Sequence, residues 1–455
     1  MHGTFPRPQK IDRTGMLWKK WLNTCRRSPK RIVLIDALRG TSWTAKALHD
    51  EACRLAETFS TFGPSSRIAF CLPNGADWMA CFLALQKCGL AAVPLDSGLP
   101  EQACLDISRY LRCAALQIQG KLHLLDGPKR RDKEVCCIKV TSGTSNGLPK
   151  SIPCRAEHLV ADGTNIIRTM GIQPSDRNLA TIPLGHSYGL GNFVLPLILQ
   201  GTPLVCATHF VPRQLIEWIG RYRVTVFPSV PAILRVLAAL PTRGRPAPLR
   251  LAISAGAPLT ADIARAFFTN YQLELHNFYG SSETGGICYD RDGDATLEGR
   301  SVGKPLAGVV VTIDRGAIRV ASHAVAKKAG SWRVPDHGEW NEQGELVLRG
   351  RRGRAVNLGG KKVHPSEIEQ ALRSVPGITD AVVRETTHAE RSVLEAVVET
   401  HLTLPEIQRI LSSRLPAWKL PKHYHLLKEF PRSARGKVDV QTLRRFIQEK
   451  ATALT

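Results

Sequence analysis

The first part of the chain alternates between short, largely apolar runs and amphipathic stretches, and this alternation constrains the fold more than any other feature. Runs at Ile32–Ile35, Arg67–Leu72 and Ala91–Leu95 predict strands. Between them, Thr44 is placed to cap one helix, and Ala76–Lys87 predicts another. Strands that alternate with helices are typical of a largely parallel sheet, so the sequence predicts an α/β fold.

The composition is that of an ordinary globular protein. With 455 residues, 43% of them hydrophobic and 22% charged, the chain is long enough for two or three domains. No apolar run approaches the roughly 20 residues needed to cross a bilayer. Residues 1–10 lack the apolar stretch of a signal sequence. We therefore expect no membrane span and a cytoplasmic location.

The cysteines indicate the cellular compartment, and the net charge indicates the kind of partner. All twelve cysteines precede residue 289 and none forms a CxxC pair, which predicts buried free thiols in a reducing compartment. The net charge of +23 indicates either a solvated basic surface or an acidic partner such as nucleic acid, an anionic membrane or an acidic carrier protein. Nucleic acid is disfavoured, because aromatic residues make up only 6% and do not interleave with the basic ones.

One loop, Thr141–Lys150, has the composition of a phosphate-binding segment. It reads TSGTSNGLPK and follows a predicted strand at Val135–Val140. Its hydroxyls, glycine backbone and lysine are the donors that a polyphosphate needs. It differs from the P-loop of NTPases because Pro149, not glycine, precedes the lysine. A solvated turn is the alternative interpretation of this loop taken alone.

Further loops suggest a ligand crevice. The segment Pro183–Gly201 places an exposed-looking His-Ser-Tyr among glycines before a long apolar tail, which is typical of a cavity wall followed by a buried helix. Predicted strands at Leu249–Ser254 and Glu274–Phe278 end in small or glycine-rich turns, as ligand sites of open α/β sheets require. Tyr279 beside Glu283 would suit a base-stacking wall and a cation ligand, or else a surface turn with a solvated acid.

The last third of the chain changes character. Short strands predicted at Val309–Ile313, Gly316–Ser322 and Glu345–Gly350 indicate a small β subdomain. The run GRRGR at Gly350–Arg354 predicts a linker, and the mixed helices and strands beyond it predict a small α+β domain.

Four stretches resemble the adenylate-forming superfamily, which contains acyl- and aryl-CoA synthetases, peptide-synthetase adenylation domains and beetle luciferases. TSGTSNGLPK is similar to its phosphate loop, NFYGSSETGG to its Tyr-Gly-x-Thr-Glu signature, GRRGRAVNLGGKKVHPSEIE to its hinge and glycine turn, and PRSARGKVD to its carboxyl-terminal lysine loop. The resemblance covers nearly the whole chain, in order. It implies a large AMP-binding domain over residues 1–352, built from two α/β subdomains and a small β subdomain. A mobile, small α+β domain over residues 353–455 would follow a hinge near Gly353.

The resemblance implies a two-step reaction that uses ATP and Mg²⁺. A carboxylate attacks the α-phosphorus of ATP to give an acyl-adenylate and pyrophosphate, and a thiol of CoA or of a phosphopantetheinyl carrier then displaces AMP. The implied ATP- or AMP-binding residues are Thr141, Ser142, Gly143, Thr144, Lys150, Gly256, Ala257, Asn277, Tyr279, Gly280, Ser282, Asp336 and Arg351. Within this set Tyr279 would stack on adenine, and Asp336 and Arg351 would meet the ribose hydroxyls.

The resemblance also assigns the reacting groups. Lys437, Glu283 and Lys150 are the implied catalytic residues, with Glu283 as the magnesium ligand and Lys437 bridging the carboxylate and the α-phosphate. The implied acyl-substrate pocket comprises His186, Ser187, Tyr188 and Gly189, and the thiol-acceptor wall comprises Gly359 and Gly360.

The sequence departs from the family pattern at two places, and its pocket segment limits the class of acid that is expected as substrate. The phosphate loop carries an extra Asn146, and Val334-Pro335 replaces Thr-Gly before Asp336. The pocket segment has no acid for an α-ammonium group, so a fatty or aryl acid is expected rather than an α-amino acid. No carrier domain follows Thr455, so the expected acceptor is CoA or a free-standing acidic acyl carrier protein. A catalytically weak or silent nucleotide-binding homologue is the alternative, and the expected assembly is a monomer or homodimer.

Overall fold

The computed structural model describes residues 15–126, 129–130, 134–141, 149–208, 210–240, 244, 246–327, 330–351, 356–358, 361–363, 365–388, 391–432, 438–439, 442–443 and 445. The chain forms two compact units, Met1–Phe210 and Val211–Thr455. In the described ranges, no helix has both the length and the apolar character needed to span a bilayer.

The first unit alternates strands and helices. Its strands are β1 (Ile32–Asp36), β2 (Ser42–Thr44), β3 (Arg67–Cys71), β4 (Ala91–Pro94), β5 (Ala115–Ile118), β6 (Lys121–Leu124), β7 (Val135–Thr141), β8 (Lys150–Arg155), β9 (Asn178–Ala180) and β10 (Leu204–Cys206). Its helices are α1 (Met16–Arg27), α2 (Ala45–Phe59), α3 (Ala76–Lys87), α4 (Glu101–Tyr110), α5 (Ala156–Met170), α6 (Ser187–Gly189) and α7 (Leu195–Gln200). A π-helical turn at Leu190–Val194 joins the last two.

The strands of this unit are largely parallel, as the alternation predicts. One sheet has the order β6-β5-β3-β4-β7-β8, in which β5, β3, β4 and β7 run parallel and the edge strands β6 and β8 are antiparallel. Strands β1, β10 and β9 are also parallel to one another. The predicted cap is confirmed, because Thr44 Oγ1 accepts a hydrogen bond from the Ala47 amide at 3.1 Å.

The second unit begins with parallel strands and continues with antiparallel ones. Its strands are β11 (Val226–Ser229), β12 (Leu251–Ser254), β13 (Leu275–Ser281), β14 (Gly285–Tyr289), β15 (Lys304–Pro305), β16 (Val310–Asp314), β17 (Ala317–Ala321), β18 (Ser331–Trp340), β19 (Leu346–Arg351), β20 (Val356–Leu358), β21 (Lys361–Val363), β22 (Ile378–His388), β23 (Arg391–Thr400) and β24 (His423–Leu427). Its helices are α8 (Pro212–Arg221), α9 (Pro231–Ala238), α10 (Ala261–Tyr271), α11 (Asp294–Glu298), α12 (Pro365–Arg373) and α13 (Leu404–Ser412).

Three sheet regions follow one another in this unit. Strands β11, β12 and β13 are parallel, and β14 and β15 add antiparallel neighbours. Strands β16 to β19 form an antiparallel four-stranded sheet, which matches the predicted β subdomain. Beyond it, β22, β23 and β24 form a sheet whose core includes Ile368 and Leu372 of α12 and Ile407 and Leu411 of α13. The expected α/β fold with a small α+β domain is confirmed.

The structure differs from the sequence predictions at two places. Strand β18 was missed, and it contains Pro335 and Gly338, which are poor strand formers. The structure accommodates the proline with a register shift between the pairs Arg319–Arg333 and Ala317–His337. The predicted linker at Gly350–Arg354 begins too early, since Gly350 and Arg351 belong to β19. Residues 352–355 lie outside the described residues, so the boundary between residues 352 and 353 stays a prediction.

Candidate active site

The ends of two neighbouring parallel strands form the base of the candidate nucleotide site. Ser254 of β12 pairs with Asn277 of β13, so Gly256 and Ala257 lie just beyond the strand that flanks Asn277. Gly256 has a φ of +87°, a conformation that favours glycine. The structure therefore brings together Gly256, Ala257 and Asn277, three of the residues expected to bind ATP or AMP.

A buried polar network fixes the orientation of Asn277. Its backbone amide donates to Thr296 Oγ1 at 2.8 Å, and its side-chain amide donates to the Ser301 carbonyl at 3.4 Å. Ser301 Oγ in turn donates to Glu345 Oε2 at 2.9 Å. A hydrogen bond from Arg300 holds the pKa of Glu345 at about 2, so this carboxylate is ionised at neutral pH. Sequence reasoning missed the network because its members come from separate elements of the chain, including β13 and α11.

Tyr279 and Asp336 are in direct contact. The Tyr279 hydroxyl donates a hydrogen bond of 2.6 Å to Asp336 Oδ2. Asp336 also lies opposite Arg351 in the register of β18 and β19. The residues expected at adenine and at ribose are therefore adjacent. A half-buried carboxylate in this position has the acceptor capacity that a vicinal diol requires.

The signature turn between β13 and β14 is tightly built. Gly280 pairs with Gly286, and a Cβ on Gly280 would lie 2.7 Å from the Gly285 carbonyl oxygen. The hydroxyls of Ser281 and Thr284 lie 3.0 Å apart, and Thr284 is fully buried. Sequence reasoning missed Thr284, whose burial is not apparent from a polar, glycine-rich string. The turn holds Ser282 and Glu283 half-buried at its tip.

Glu283 is suited to a divalent cation that is shared with a phosphate. Its carbonyl accepts a hydrogen bond of 2.9 Å from the Ala326 amide, which fixes the backbone at the turn. In the part of the chain that the structure describes, no cluster of three or more His, Cys, Asp or Glu side chains could hold a metal ion. Magnesium commonly takes one or two carboxylates and completes its shell with phosphate oxygens and water. A single carboxylate at this turn fits that donor set.

The flanks of the predicted phosphate loop face each other in the first unit. Thr141 at the end of β7 lies opposite Lys150 at the start of β8, and Thr141 Oγ1 donates to the Lys150 carbonyl at 3.5 Å. The Lys150 side chain is exposed. Ser142, Gly143 and Thr144 lie outside the described residues. The strands thus close the base of the loop and present its lysine to solvent.

The predicted acyl-pocket segment begins with a histidine cap. His186 Nδ1 accepts a hydrogen bond of 3.3 Å from the Tyr188 amide and so caps α6. His186 and Ser187 are half-buried, whereas Tyr188 is only 7% exposed, so the expectation of an exposed-looking tyrosine was wrong. The cause is the following π-helical turn, which is buried throughout. A Cβ on Gly189 would lie 2.1 Å from the Pro183 carbonyl oxygen.

Asn74 positions this segment and was missed by sequence reasoning. Its side-chain amide donates to the Ile182 carbonyl at 2.8 Å, and its Oδ1 accepts from the Leu184 amide at 2.9 Å. The Asn-Gly pair before α3 predicts only a turn. Its two partners lie 108 and 110 residues further along the chain, and no local sequence signal connects them to Asn74.

Four further predicted functional residues, Gly353, Gly359, Gly360 and Lys437, also lie outside the described residues. For Arg351 the structure gives the backbone pairing with Asp336. The implied roles of all these residues stay predictions.

Comparison with known proteins gives a consistent result. The family model for AMP-binding enzymes matches residues 21–128 and 114–351, and the model for the C-terminal domain of AMP-binding enzymes matches residues 367–437. The chain is 25% identical to a sulfoacetate–CoA ligase from Cupriavidus necator, over 90% of this chain and 94% of that protein. It is 28% identical to a feruloyl-CoA synthase from Amycolatopsis, over 88% of this chain and 93% of that protein.

The fold is also that of a solved ligase. An o-succinylbenzoate-CoA synthetase from Bacillus subtilis, determined in complex with ATP and magnesium ion, superposes with a TM-score of 0.81 at 22% identity, over 92% of this chain and 98% of that one. With both family models matched in order over most of its length, the chain belongs to the AMP-binding enzyme family of the adenylate-forming superfamily.

Proposed function

We propose that this protein is an AMP-forming acid–thiol ligase that activates a carboxylic acid with ATP and transfers the acyl group to CoA. The observation that carries the proposal is the contact between Tyr279 and Asp336, which places an aromatic ring beside a carboxylate at the end of a parallel sheet. This pairing suits the adenine ring and ribose diol of one nucleotide. The CoA ligases among the relatives support the second step.

The nucleotide would be held by residues from several strands. In this proposal the Gly256 turn and Asn277 meet adenine, Ser282 meets the α-phosphate, and Lys150 with Thr141 grips the β- and γ-phosphates. Glu283 would hold Mg²⁺, which supplies positive charge to the phosphate oxygens. The ATP and magnesium of the solved o-succinylbenzoate-CoA synthetase support this assignment by analogy.

The small domain would supply the groups that distinguish the two steps. We assign Lys437 to the adenylation step, where its ammonium neutralises charge between carboxylate and α-phosphate. Gly359 and Gly360 would form the wall that the thiol arm passes, after residues 353–455 turn about Gly353 relative to residues 1–352.

The acid is proposed to be an aryl or fatty acid without an α-amine. The segment from His186 to Gly189 contains no carboxylate for an ammonium group. Asp162 lies near Gly191, but it is buried and interacts electrostatically with buried Lys139, so its charge is already compensated. The feruloyl-CoA synthase among the relatives is consistent with an aromatic substrate.

The test is pyrophosphate release with ATP, Mg²⁺ and a panel of hydroxycinnamic, benzoic, fatty and α-amino acids, with thioester formation followed in parallel. The proposal expects release with an aryl or fatty acid and thioester formation with CoA. Lys437→Ala should abolish release, whereas Lys428→Ala, a change at another lysine of the small domain, should not. No release with any acid would contradict the ligase and favour a silent nucleotide-binding homologue.

The same assay decides the acceptor. The net charge of +23 provides a reason to include an acidic acyl carrier protein beside CoA. If the thioester forms on the carrier protein in a salt-sensitive reaction and little forms on CoA, the carrier protein would replace CoA as the proposed acceptor.

A further inference from the structure

The hydrogen bonds of Asn277 leave one of its side-chain atoms available to a ligand. Its backbone amide donates to Thr296 Oγ1 at 2.8 Å, and its backbone carbonyl accepts from the Asp290 amide at 2.9 Å. Its side-chain Nδ2 donates to the Ser301 carbonyl at 3.4 Å. Among the described residues, none donates a hydrogen bond to Asn277 Oδ1, and the residue is half-buried. Oδ1 is therefore an acceptor that a ligand can use.

The Ser301 carbonyl fixes which way the Asn277 side-chain amide is turned. A backbone carbonyl only accepts hydrogen bonds, so the Asn277 atom that faces it must be Nδ2. A flipped amide would place Oδ1 against the Ser301 carbonyl oxygen, where two acceptors repel each other and both lack a donor. As long as Ser301 keeps its place, Asn277 presents an acceptor and not a donor to a ligand.

Glu345 holds Ser301 in place. Ser301 Oγ donates to Glu345 Oε2 at 2.9 Å and accepts from the Gly303 amide at 3.1 Å. The same carboxylate oxygen accepts from Arg300 Nε at 3.0 Å and from Asn341 Nδ2 at 2.9 Å. Glu345 is only 7% exposed, so water does not readily replace it as the acceptor for these donors. The position of Ser301 therefore depends on a carboxylate that lies 44 residues away in sequence.

Purine bases differ at the position that such an acceptor distinguishes. Adenine carries an amino group, a donor, at carbon 6, whereas guanine carries an oxygen, an acceptor, at the same carbon. A fixed Asn277 Oδ1 would accept from the amino group and repel the oxygen. An amide that is free to turn would instead offer Nδ2 to the oxygen, and the discrimination between the bases would be lost.

We propose that Glu345 is a positioning residue that makes the nucleotide site select adenine over 6-oxopurines, by acting through Ser301 and Asn277. This inference rests on the proposed nucleotide site, in which Asn277 meets adenine. Glu345 itself touches no substrate. Its carboxylate holds Ser301, and the Ser301 carbonyl in turn holds the Asn277 amide in the orientation that accepts from the adenine amino group.

The test measures the dissociation constants of AMP and of inosine monophosphate by isothermal titration calorimetry on the full-length protein. Inosine monophosphate carries an oxygen in place of the 6-amino group of AMP. The unaltered protein should bind AMP at least about tenfold more tightly than inosine monophosphate. In Glu345→Gln this preference should fall by about tenfold, because the Asn277 amide is free to turn. The variant should also bind inosine monophosphate more tightly than the unaltered protein does, a gain that a merely damaged site would not show.

The control and a second variant keep the test independent of folding. Glu298→Gln makes the same chemical change at the exposed partner of Arg300, away from Ser301, and should leave the AMP preference unchanged. Ser301→Ala removes only the hydroxyl that Glu345 binds, so it should reduce the preference as Glu345→Gln does. An AMP preference that survives in both Glu345→Gln and Ser301→Ala would overturn the proposal, as would equal binding of the two nucleotides by the unaltered protein.

A double variant tests whether Glu345 acts through Asn277. Asn277→Leu should already have a reduced AMP preference, and adding Glu345→Gln should not reduce it further. Additive losses would show that Glu345 acts by another route and would overturn the proposal. The binding assay needs neither acid nor thiol. A preference lost in Glu345→Gln without pyrophosphate release from any acid would therefore support this inference while contradicting the proposed ligase.

Discussion

The Tyr279 hydroxyl lies 2.6 Å from Asp336 Oδ2 and joins the β13 signature strand to the β18 strand of the next sheet. The two residues are 57 positions apart in sequence. This hydrogen bond orients the carboxylate that we assign to the ribose, and Asp336 is paired with Arg351 in the backbone register of β18 and β19. The proposed nucleotide site therefore depends on contacts between sheets as well as on each motif by itself.

Replacing Tyr279 with phenylalanine should weaken ATP binding while leaving the ring in place. A hydrogen bond to a charged group contributes about 1.5–3 kcal/mol, so we expect the KM for ATP to rise by about 10- to 150-fold. Steady-state pyrophosphate release measures this change. Tyr110→Phe alters a tyrosine that is 50% exposed in the first unit and should have no effect. An unchanged KM for ATP in Tyr279→Phe would show that the Tyr279 hydrogen bond does not orient Asp336 for ATP binding.

Lys150→Ala should reduce kcat/KM for ATP by about 100-fold, because the variant lacks the cation that we assign to the β- and γ-phosphates. The fold should persist, since the Lys150 side chain is exposed at the start of β8. Lys121→Ala changes an exposed lysine on the other edge of the same sheet and serves as the control. Equal activity in both variants would refute the phosphate role of Lys150.

Gly189→Ala and Gly220→Ala should change stability in opposite directions. A Cβ at Gly189 would meet the Pro183 carbonyl oxygen at 2.1 Å, and overpacking of this kind costs about 1–3 kcal/mol. A Cβ at Gly220 in α8 meets nothing within 4 Å, and alanine in a helix gains up to about 1 kcal/mol over glycine. Thermal unfolding midpoints should fall for the first variant and rise slightly for the second. A rise in both would contradict the close approach at Gly189.

The Glu345 network should make stability fall in acid. Hydrogen bonding to Arg300 lowers the Glu345 pKa from 4.5 to about 2, so the folded state binds this proton more weakly than the unfolded state. The ionised Glu345 side chain contributes fully to the free energy of unfolding above pH 4.5, and this contribution is lost as the pH falls toward 2. Glu345→Gln should cost about 2 kcal/mol at pH 7, and the cost should shrink near pH 3.

The matched control for that experiment is Glu342→Gln, at an exposed position in the turn before Glu345. Chemical denaturation at pH 7 and pH 3 should show no pH-dependent difference for this control. A cost of Glu345→Gln that is the same at both pH values would argue against an ionised, hydrogen-bonded carboxylate.

Local sequence patterns predicted the helices and strands whose structure depends mainly on their own residues. The apolar pattern gave α3 its observed bounds, Ala76–Lys87. Strand β18 could not be predicted in this way, because its pairing with two neighbours overrides the poor strand propensity of Pro335 and Gly338.

The residues of the candidate site were likewise predictable where a local motif names them, and not where long-range contacts decide their role. Motif matching named Tyr279 and Asp336 separately, but their contact depends on how two sheets pack, which a single sequence does not encode in any local pattern. Asn74 and Thr284 were missed because their importance comes from the backbone groups they bind and from burial, at positions fixed only by the fold.

The most direct test of the proposed function is the identity of the products made from ATP. Phosphorus NMR of a reaction with ATP, Mg²⁺, CoA and an aryl or fatty acid should show AMP and pyrophosphate in equal amounts, matched by thioester. ADP and inorganic phosphate in place of AMP and pyrophosphate would contradict the account.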